Sequence, residues 1–457
     1  MKISRYWGIL TTAILILAYF ADAKVNHGVH LWVFTIVNLL LLHIARLGQV
    51  SWFHVFMTFF FFLGCWLKVI THHILDYPYV EPSGNFKGSL VEWQNYYFAA
   101  GVIGVALIVS KLFTLLVEAR QKKQVVHYVS AVAVENYEWI LFVLLAVIFY
   151  LVNNIFAFFV TGVNAKITLP FSLNAPPAFM ALIGFSVVAS VYLARDFAAS
   201  QYVGLRGVLA ILLISAIASL SMASRAAMVM QVVPMLIAAA YTQKTSSSRA
   251  VSLKPFILFG VVLLSVLVCV SIYRINVFLK NSAVEDDIFV SYALQSSMLV
   301  IDRWIGAEAI MVAISEPASS VELLVKLLRE NPSSGVNAIY QILSGGKYKF
   351  IEGFTFLTLP GYFGVLGLSG SPLIIFSGVL LLAIAGMSYE KFIQKILFGQ
   401  AICVALISAA VANSITQMSF PWLLVPFIIQ MTVLVIFLHF TNRKNFTQGE
   451  LMVKSFV

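Results

Sequence analysis

The segment YVGLRGVLAILLISAIASLSMASRAAMVMQVVPMLIAAAYTQK, Tyr202–Lys244, holds a single charge between its first turn and its last residue, Arg225. It is apolar over roughly twice the ~20 residues that a helix needs to cross hydrocarbon. One helix of that length would overshoot a bilayer, so the chain turns back, and the small residues Ala223, Ser224, Ala226 and Ala227 around Arg225 leave room for a bulky anion and for close helix packing. Two spans result, Tyr202–Met222 and Ala226–Tyr241, with Arg225 at the mouth of a tight hairpin.

The same reading extends over the chain. Hydrophobic residues make up 61% and charged residues 11% of the 457 positions, where a soluble domain has roughly 45–50% and 25%. The fold class is therefore an all-α polytopic integral membrane protein. Ten further apolar segments read as spans: Trp7–Phe20, Leu31–Ala45, Ser51–Ile70, Tyr96–Leu116, Trp139–Val160, Phe179–Ala194, Phe256–Ile272, Pro372–Met387, Ile396–Ser414 and Trp422–His439. The expected total is about 12 transmembrane helices. Trp7–Phe20 lacks a small-x-small cleavage site and reads as a retained span rather than a signal peptide.

The net charge of +10 would suggest nucleic acid in a soluble protein; here it sets orientation. Lys2/Arg5, Arg46, Arg120/Lys122/Lys123, Arg195/Arg206, Lys244/Arg249/Lys254, Lys391/Lys395 and Arg443/Lys444 fall on alternate connections. By the positive-inside rule both termini are cytoplasmic. The other connections, such as DYPYVEPSGNFKGSLVEW (Asp76–Trp93) and KITLPFSLNAPP (Lys166–Pro177), face outward. The division is a bundle over 1–272, a large outer loop over 273–371, and C-terminal helices over 372–457.

The outer loop has helical content of its own. Phe289–Ser315 reads as a long, partly amphipathic helix or a helical hairpin. SSVELLVKLLREN follows, with Ser319 and Glu322 spaced as a capping box, Leu323, Leu324, Leu327 and Leu328 on one face, and Asn331-Pro332 as the stop. That helix is expected on the membrane surface. The stretch Gly345–Pro372 is apolar enough to count as another span, but the charge alternation around it requires a re-entrant or docked segment, which is tolerated where protein buries it.

Three outer arginines invite a role: Arg225 at the start of the eighth span, Arg274 at the end of the ninth, and Arg303 in the loop. Guanidinium offers a planar fork of donors suited to phosphate. Arginines at helix ends also simply snorkel to headgroups, and that reading stands beside the first. Arg225 argues against it, because its neighbours are small and its position runs against the charge rule. Candidate bases are the loop carboxylates, with Glu308 first and Glu352 second. On one regular helix Arg303 and Glu308 would lie about 140° apart. Lys68, Lys347 and Lys349 would add positive charge to an outer anion cavity. His72, His73, Asp76 and Glu81 form at best a weak metal pattern, and Cys65, Cys269 and Cys403 lie singly in apolar runs. No metal and no cofactor is expected. Asn153 and Asn154 read as helix-joining residues, and Lys111 as a snorkelling or carboxylate-paired lysine without a further role.

Taken together, the span count, the long late outer loop, SRAAM at the outer start of a helix, DRWIGAEAI in the loop and EGFTFLTLPGYFGVLGLSGSP before the next span resemble the O-antigen polymerase family (Wzy type). The resemblance implies a GT-C-like glycosyltransferase, independent of metal and nucleotide, at the periplasmic face of the bacterial inner membrane. It would join repeat units carried on undecaprenyl pyrophosphate. Arg225 and Arg303 match the family's arginine positions and would hold the leaving pyrophosphate, while Arg274 has only its position to recommend it. Lipid-linked glycans and membrane lipids are the implied partners, with a chain-length regulator and a flippase as candidate protein partners and no nucleic acid. An O-antigen ligase is the alternative; ligases carry a histidine in the large outer loop, and here none lies between Tyr273 and Ser371. A transporter or flippase would place ionisable residues near mid-membrane on several spans, and a non-catalytic scaffold would tolerate lysine at position 225.

Overall fold

The computed structural model describes residues 2–77, 79, 82–120, 133–160, 174–200, 204–224, 226–246, 252–279, 306–330, 338–345, 360–397, 400–417 and 423–442. The elements are helices: α1 Lys2–Val25, α2 Val29–Ala45, α3 Trp52–Phe61, α4 Lys68–Leu75, α5 Leu90–Arg120, α6 Asn136–Phe156, α7 Ala175–Phe179, α8 Phe185–Ser200, α9 Leu205–Ser221, α10 Ala227–Ser246 and α11 Lys254–Leu279. Four short helices follow, α12 Ala307–Ser315, α13 Val321–Leu328, α14 Ala338–Leu343 and α15 Gly361–Gly367, and then α16 Pro372–Ile396, α17 Ala401–Gln417 and α18 Leu424–Asn442.

Eight of these helical stretches are long and apolar enough to cross a membrane. Three of the other expected spans fall on the shorter apolar helices α2, α9 and α17. The last, Ala226–Tyr241, falls on α10, which carries Pro234 in its interior. A multi-pass membrane protein follows. The tenth expected span runs further than its apolar core, to Ile396, and the next begins at Ala401 rather than Ile396.

The third span is the most buried of the long spans: 78% of its apolar window is buried, against 11% for Lys254–Tyr273. It is not one regular helix. A π-helical wind, Phe62–Leu67, joins α3 to α4, and a second, Met180–Gly184, joins α7 to α8. Such winds disturb the regular pairing of backbone groups, and in hydrocarbon every such group needs an internal partner. Neighbouring spans supply them. Tyr96 on α5 donates its hydroxyl to the Cys65 carbonyl at 2.8 Å. Tyr150 on α6 donates to the Ala181 carbonyl at 3.1 Å, and Gln231 on α10 to the Leu182 carbonyl at 2.8 Å.

At the basic end of the bundle α16 holds the start of α3. Glu390 accepts from the Ser51 hydroxyl at 2.7 Å and from the Trp52 and Phe53 amides at 2.9 Å each. Two first-turn amides are thereby satisfied by a carboxylate from another helix. Lys111 on α5 donates to the Gln49 carbonyl at 2.9 Å, so its role is to tie the same connection. Glu390→Ala should destabilise the protein by about 1.5–3 kcal/mol, the range for a hydrogen bond to a charged group. The check is the unfolding midpoint in detergent, where Glu390→Gln should lose less.

Two of the short helices, α12 and α15, pack into the bundle. α15 packs against α12, α16 and α17, and α12 against α5 and the π wind of the third span. Small residues allow it: a Cβ on Gly364 would lie 2.6 Å from that of Ala309, and one on Gly367 would lie 2.7 Å from that of Ala313. Of the stretch Gly345–Pro372, residues 346–359 lie outside the described residues.

The helix that carries Glu308 begins at Ala307, with Gly306 at φ 155° and ψ −56°, and Arg303 lies outside the described residues. Two loop expectations need correction. The capping serine of α13 is Ser320, whose hydroxyl accepts from the Leu323 amide at 3.2 Å, rather than Ser319. The leucine face of α13 exists, but Leu323 and Leu327 pack with Val312, Tyr340 and Leu368, so protein covers it rather than lipid. The stop at Asn331-Pro332 lies outside the described residues.

Candidate functional site at the α4 end of the third span

Glu308 is the expected site residue whose surroundings the structure gives. It occupies the first turn of α12 and forms an ion pair with Lys68, the first residue of α4, with side chains only 4% and 0% exposed. The sequence explains the approach. Gly306 lies against the π wind, where a Cβ would stand 3.0 Å from Cys65 Sγ and 3.5 Å from the Gly64 carbonyl carbon. Without a side chain at that position, α12 can enter next to Lys68. The all-apolar AIMVAI run then buries the rest of α12, with Ala307, Ala309, Ile310, Met311, Val312 and Ala313 all in the interior.

Burying two charges is expensive, and their attraction offsets the cost only when the pair is well made. The pair therefore fixes where α12 meets the helices of the bundle. The positive charge expected of Lys68 in an anion cavity is matched by the Glu308 carboxylate. Lys347 and Lys349 lie outside the described residues.

Beyond the pair, this end of the bundle is closed by aromatic and imidazole rings. The Tyr97 hydroxyl lies 2.8 Å from His27 Nδ1 and 2.9 Å from His73 Nε2, within hydrogen-bonding distance of both. Burial pulls the His27 imidazole below its ordinary pKa, with Asp22 opposing. His72 Nδ1 donates to the Tyr77 carbonyl at 2.8 Å, with its ring stacked on Tyr79. His72 and His73 thus serve different partners, and Asp76 ends α4 in the left-handed region. Among the described residues no three His, Cys, Asp or Glu side chains converge on a metal position, and Glu81 is outside them.

No family model, curated protein or solved structure matches this chain.

Of the other expected site residues, Arg225, Arg303 and Glu352 lie outside the described residues. Arg274 falls on the last two turns of α11, which continues to Leu279 instead of ending near Ile272; its side chain is outside the description. The turn that carries Arg225 is described up to Ser224. The Ser224 amide donates to the Ser219 carbonyl at 2.9 Å and the Ala223 amide to the Leu220 carbonyl at 3.1 Å, the paired bonds of a Schellman ending. Ala223, with φ 50°, takes the place usually held by glycine. Asn153 fastens this ending, donating to the Ser221 hydroxyl at 2.9 Å and to the Phe159 carbonyl at 3.1 Å. The helix-joining role expected of Asn153 is present; Asn154 is exposed.

The pairing of Lys68 with Glu308 was absent from the sequence reading. Its signal was Lys68 itself, an ionisable residue inside an apolar span, which requires a partner.

Proposed function

We propose that this chain polymerises undecaprenyl-pyrophosphate-linked oligosaccharide repeat units into O-antigen or a related surface polysaccharide at the periplasmic face of the inner membrane. The observation that carries the reading is Glu308, buried beside Lys68 where the outer cap enters the membrane bundle. The reading assigns this carboxylate the proton of the acceptor hydroxyl. The resemblance of SRAAM and DRWIGAEAI to the family's arginine motifs supports the same reading.

In the proposed reaction the acceptor hydroxyl attacks the anomeric carbon of the donor glycan and a glycosidic bond forms. The bond from that carbon to the pyrophosphate oxygen breaks, and its electron pair departs with the lipid pyrophosphate. The hydroxyl proton passes to a carboxylate, Glu308 first and Glu352 second. Charge grows on the leaving group, so fixed guanidinium donors from Arg225 and Arg303, with Arg274 as a third candidate, would stabilise the transition state. Each well-placed donor is worth about 3–4 kcal/mol.

The test is deletion of the gene followed by gel analysis of surface glycans, with complementation by Arg225→Lys. A polymerase leaves single-repeat caps on lipid A, and the lysine variant restores little polymer because an ammonium lacks the bidentate fork. Unattached long polymer would identify a ligase instead. Unchanged glycans would overturn both.

A further inference from the structure

α1 and α2 form a hairpin whose two ends differ. At the outer end they are tied: Asp22 accepts from the Gly28 amide at 2.8 Å and from Trp32 Nε1 at 3.0 Å, and Ala18 and Ala21 are fully buried. At the basic end a cavity of about 530 Å³ opens between them, lined by residues that include Gly8, Thr12, Ile36 and Leu40. Ile36 and Leu40 are half exposed, as are Ile9 and Ile16 of α1, so the cavity faces lipid.

Its polar end is built from Trp7, His43 and Arg46. The Arg46 guanidinium lies 4.5 Å from the centroid of the Trp7 ring, and Nη2 donates to His43 Nδ1 at 3.0 Å. The ring and the imidazole hold the fork in one orientation, and a guanidinium carries five N–H donors. No carboxylate lines the cavity. An apolar trough with a fixed cation at its headgroup end complements one class of molecule.

We propose that this cavity is a binding site for an anionic phospholipid of the leaflet at the basic end. The lipid's phosphate lies on Arg46 and an acyl chain lies along Ile36 and Leu40. Trp7 stands at the interface, where tryptophan is enriched. Seating there closes the open half of the hairpin that Asp22 already ties at the other end.

The experiment uses the full chain in detergent, titrated with phosphatidylglycerol or phosphatidylcholine and read by native mass spectrometry and thermal shift. Phosphatidylglycerol should bind at least tenfold more tightly than phosphatidylcholine. Arg46→Gln should remove that preference by weakening phosphatidylglycerol alone. Gly8→Leu, which fills the trough where nothing stands within 4 Å of an added Cβ, should weaken both lipids while leaving Arg46 in place. Inorganic phosphate alone should give no shift. Equal binding of the two lipids, wild-type binding by either variant, or a phosphate shift as large as that of phosphatidylglycerol would each overturn the proposal.

Discussion

Lys68→Met is expected to destabilise the protein by about 3–5 kcal/mol, because it removes the ammonium against which Glu308 is buried. Glu308→Gln alone should cost a comparable amount, since it leaves the Lys68 ammonium in an interior where its side chain is 0% exposed. The double variant should recover most of the loss. Replacing a buried ion pair by groups of similar volume is often neutral or stabilising, whereas removing one partner is not. Unfolding midpoints of the two single variants and the double variant in one detergent test this as a cycle. Additive losses would show that the pair is not a unit. The same set separates structure from chemistry. If the double variant folds and makes no polymer, Glu308 acts on substrate. If it folds and makes normal polymer, Glu308 is a structural residue and the base lies elsewhere, with Glu352 next.

The spans were legible because hydrocarbon imposes a length on apolar runs, and the turn between α9 and α10 because one such run is roughly twice that length. The pair of Lys68 and Glu308 was not, since the residues lie on different halves of the sequence and nothing local links them. The two π winds were equally hidden. FMALIG (Phe179–Gly184) and FFFFLGCWL (Phe59–Leu67) read as ordinary apolar helix, and the side chains that complete them, Tyr96, Tyr150 and Gln231, come from other spans. Glu390 escaped notice for the same reason: on its own helix it is one charge beside Lys391, and its work is done on α3. Ser319 and Ser320 were near-equivalent caps in sequence. The Ser320 amide donates to the Leu368 carbonyl at 2.9 Å, a tie from α13 to the end of α15 that selects the start of the helix.

Gly361→Ala should unseat α15 and, through it, the helix that carries Glu308. Gly361 has φ +56°, and a Cβ there would stand 2.0 Å from the Thr416 carbonyl oxygen and 2.6 Å from its carbon. Both atoms belong to the backbone of α17, so no rotamer change can relieve the clash. The left-handed conformation costs an L-residue about 1–2 kcal/mol, and overpacking a close-packed site adds about 1–3 kcal/mol. Because α15 packs on α12 through Gly364 and Ala309, a shift of α15 moves the floor beneath Glu308. Polymer yield should therefore fall together with the unfolding midpoint. Gly101→Ala is the matched control: it lies inside α5 with nothing within 4 Å of an added Cβ. There alanine should leave the midpoint unchanged or raise it, by up to about 1 kcal/mol of helix preference. If Gly361→Ala matches Gly101→Ala in midpoint and in polymer, α15 is not seated on Thr416 and the cap does not support Glu308 in this way.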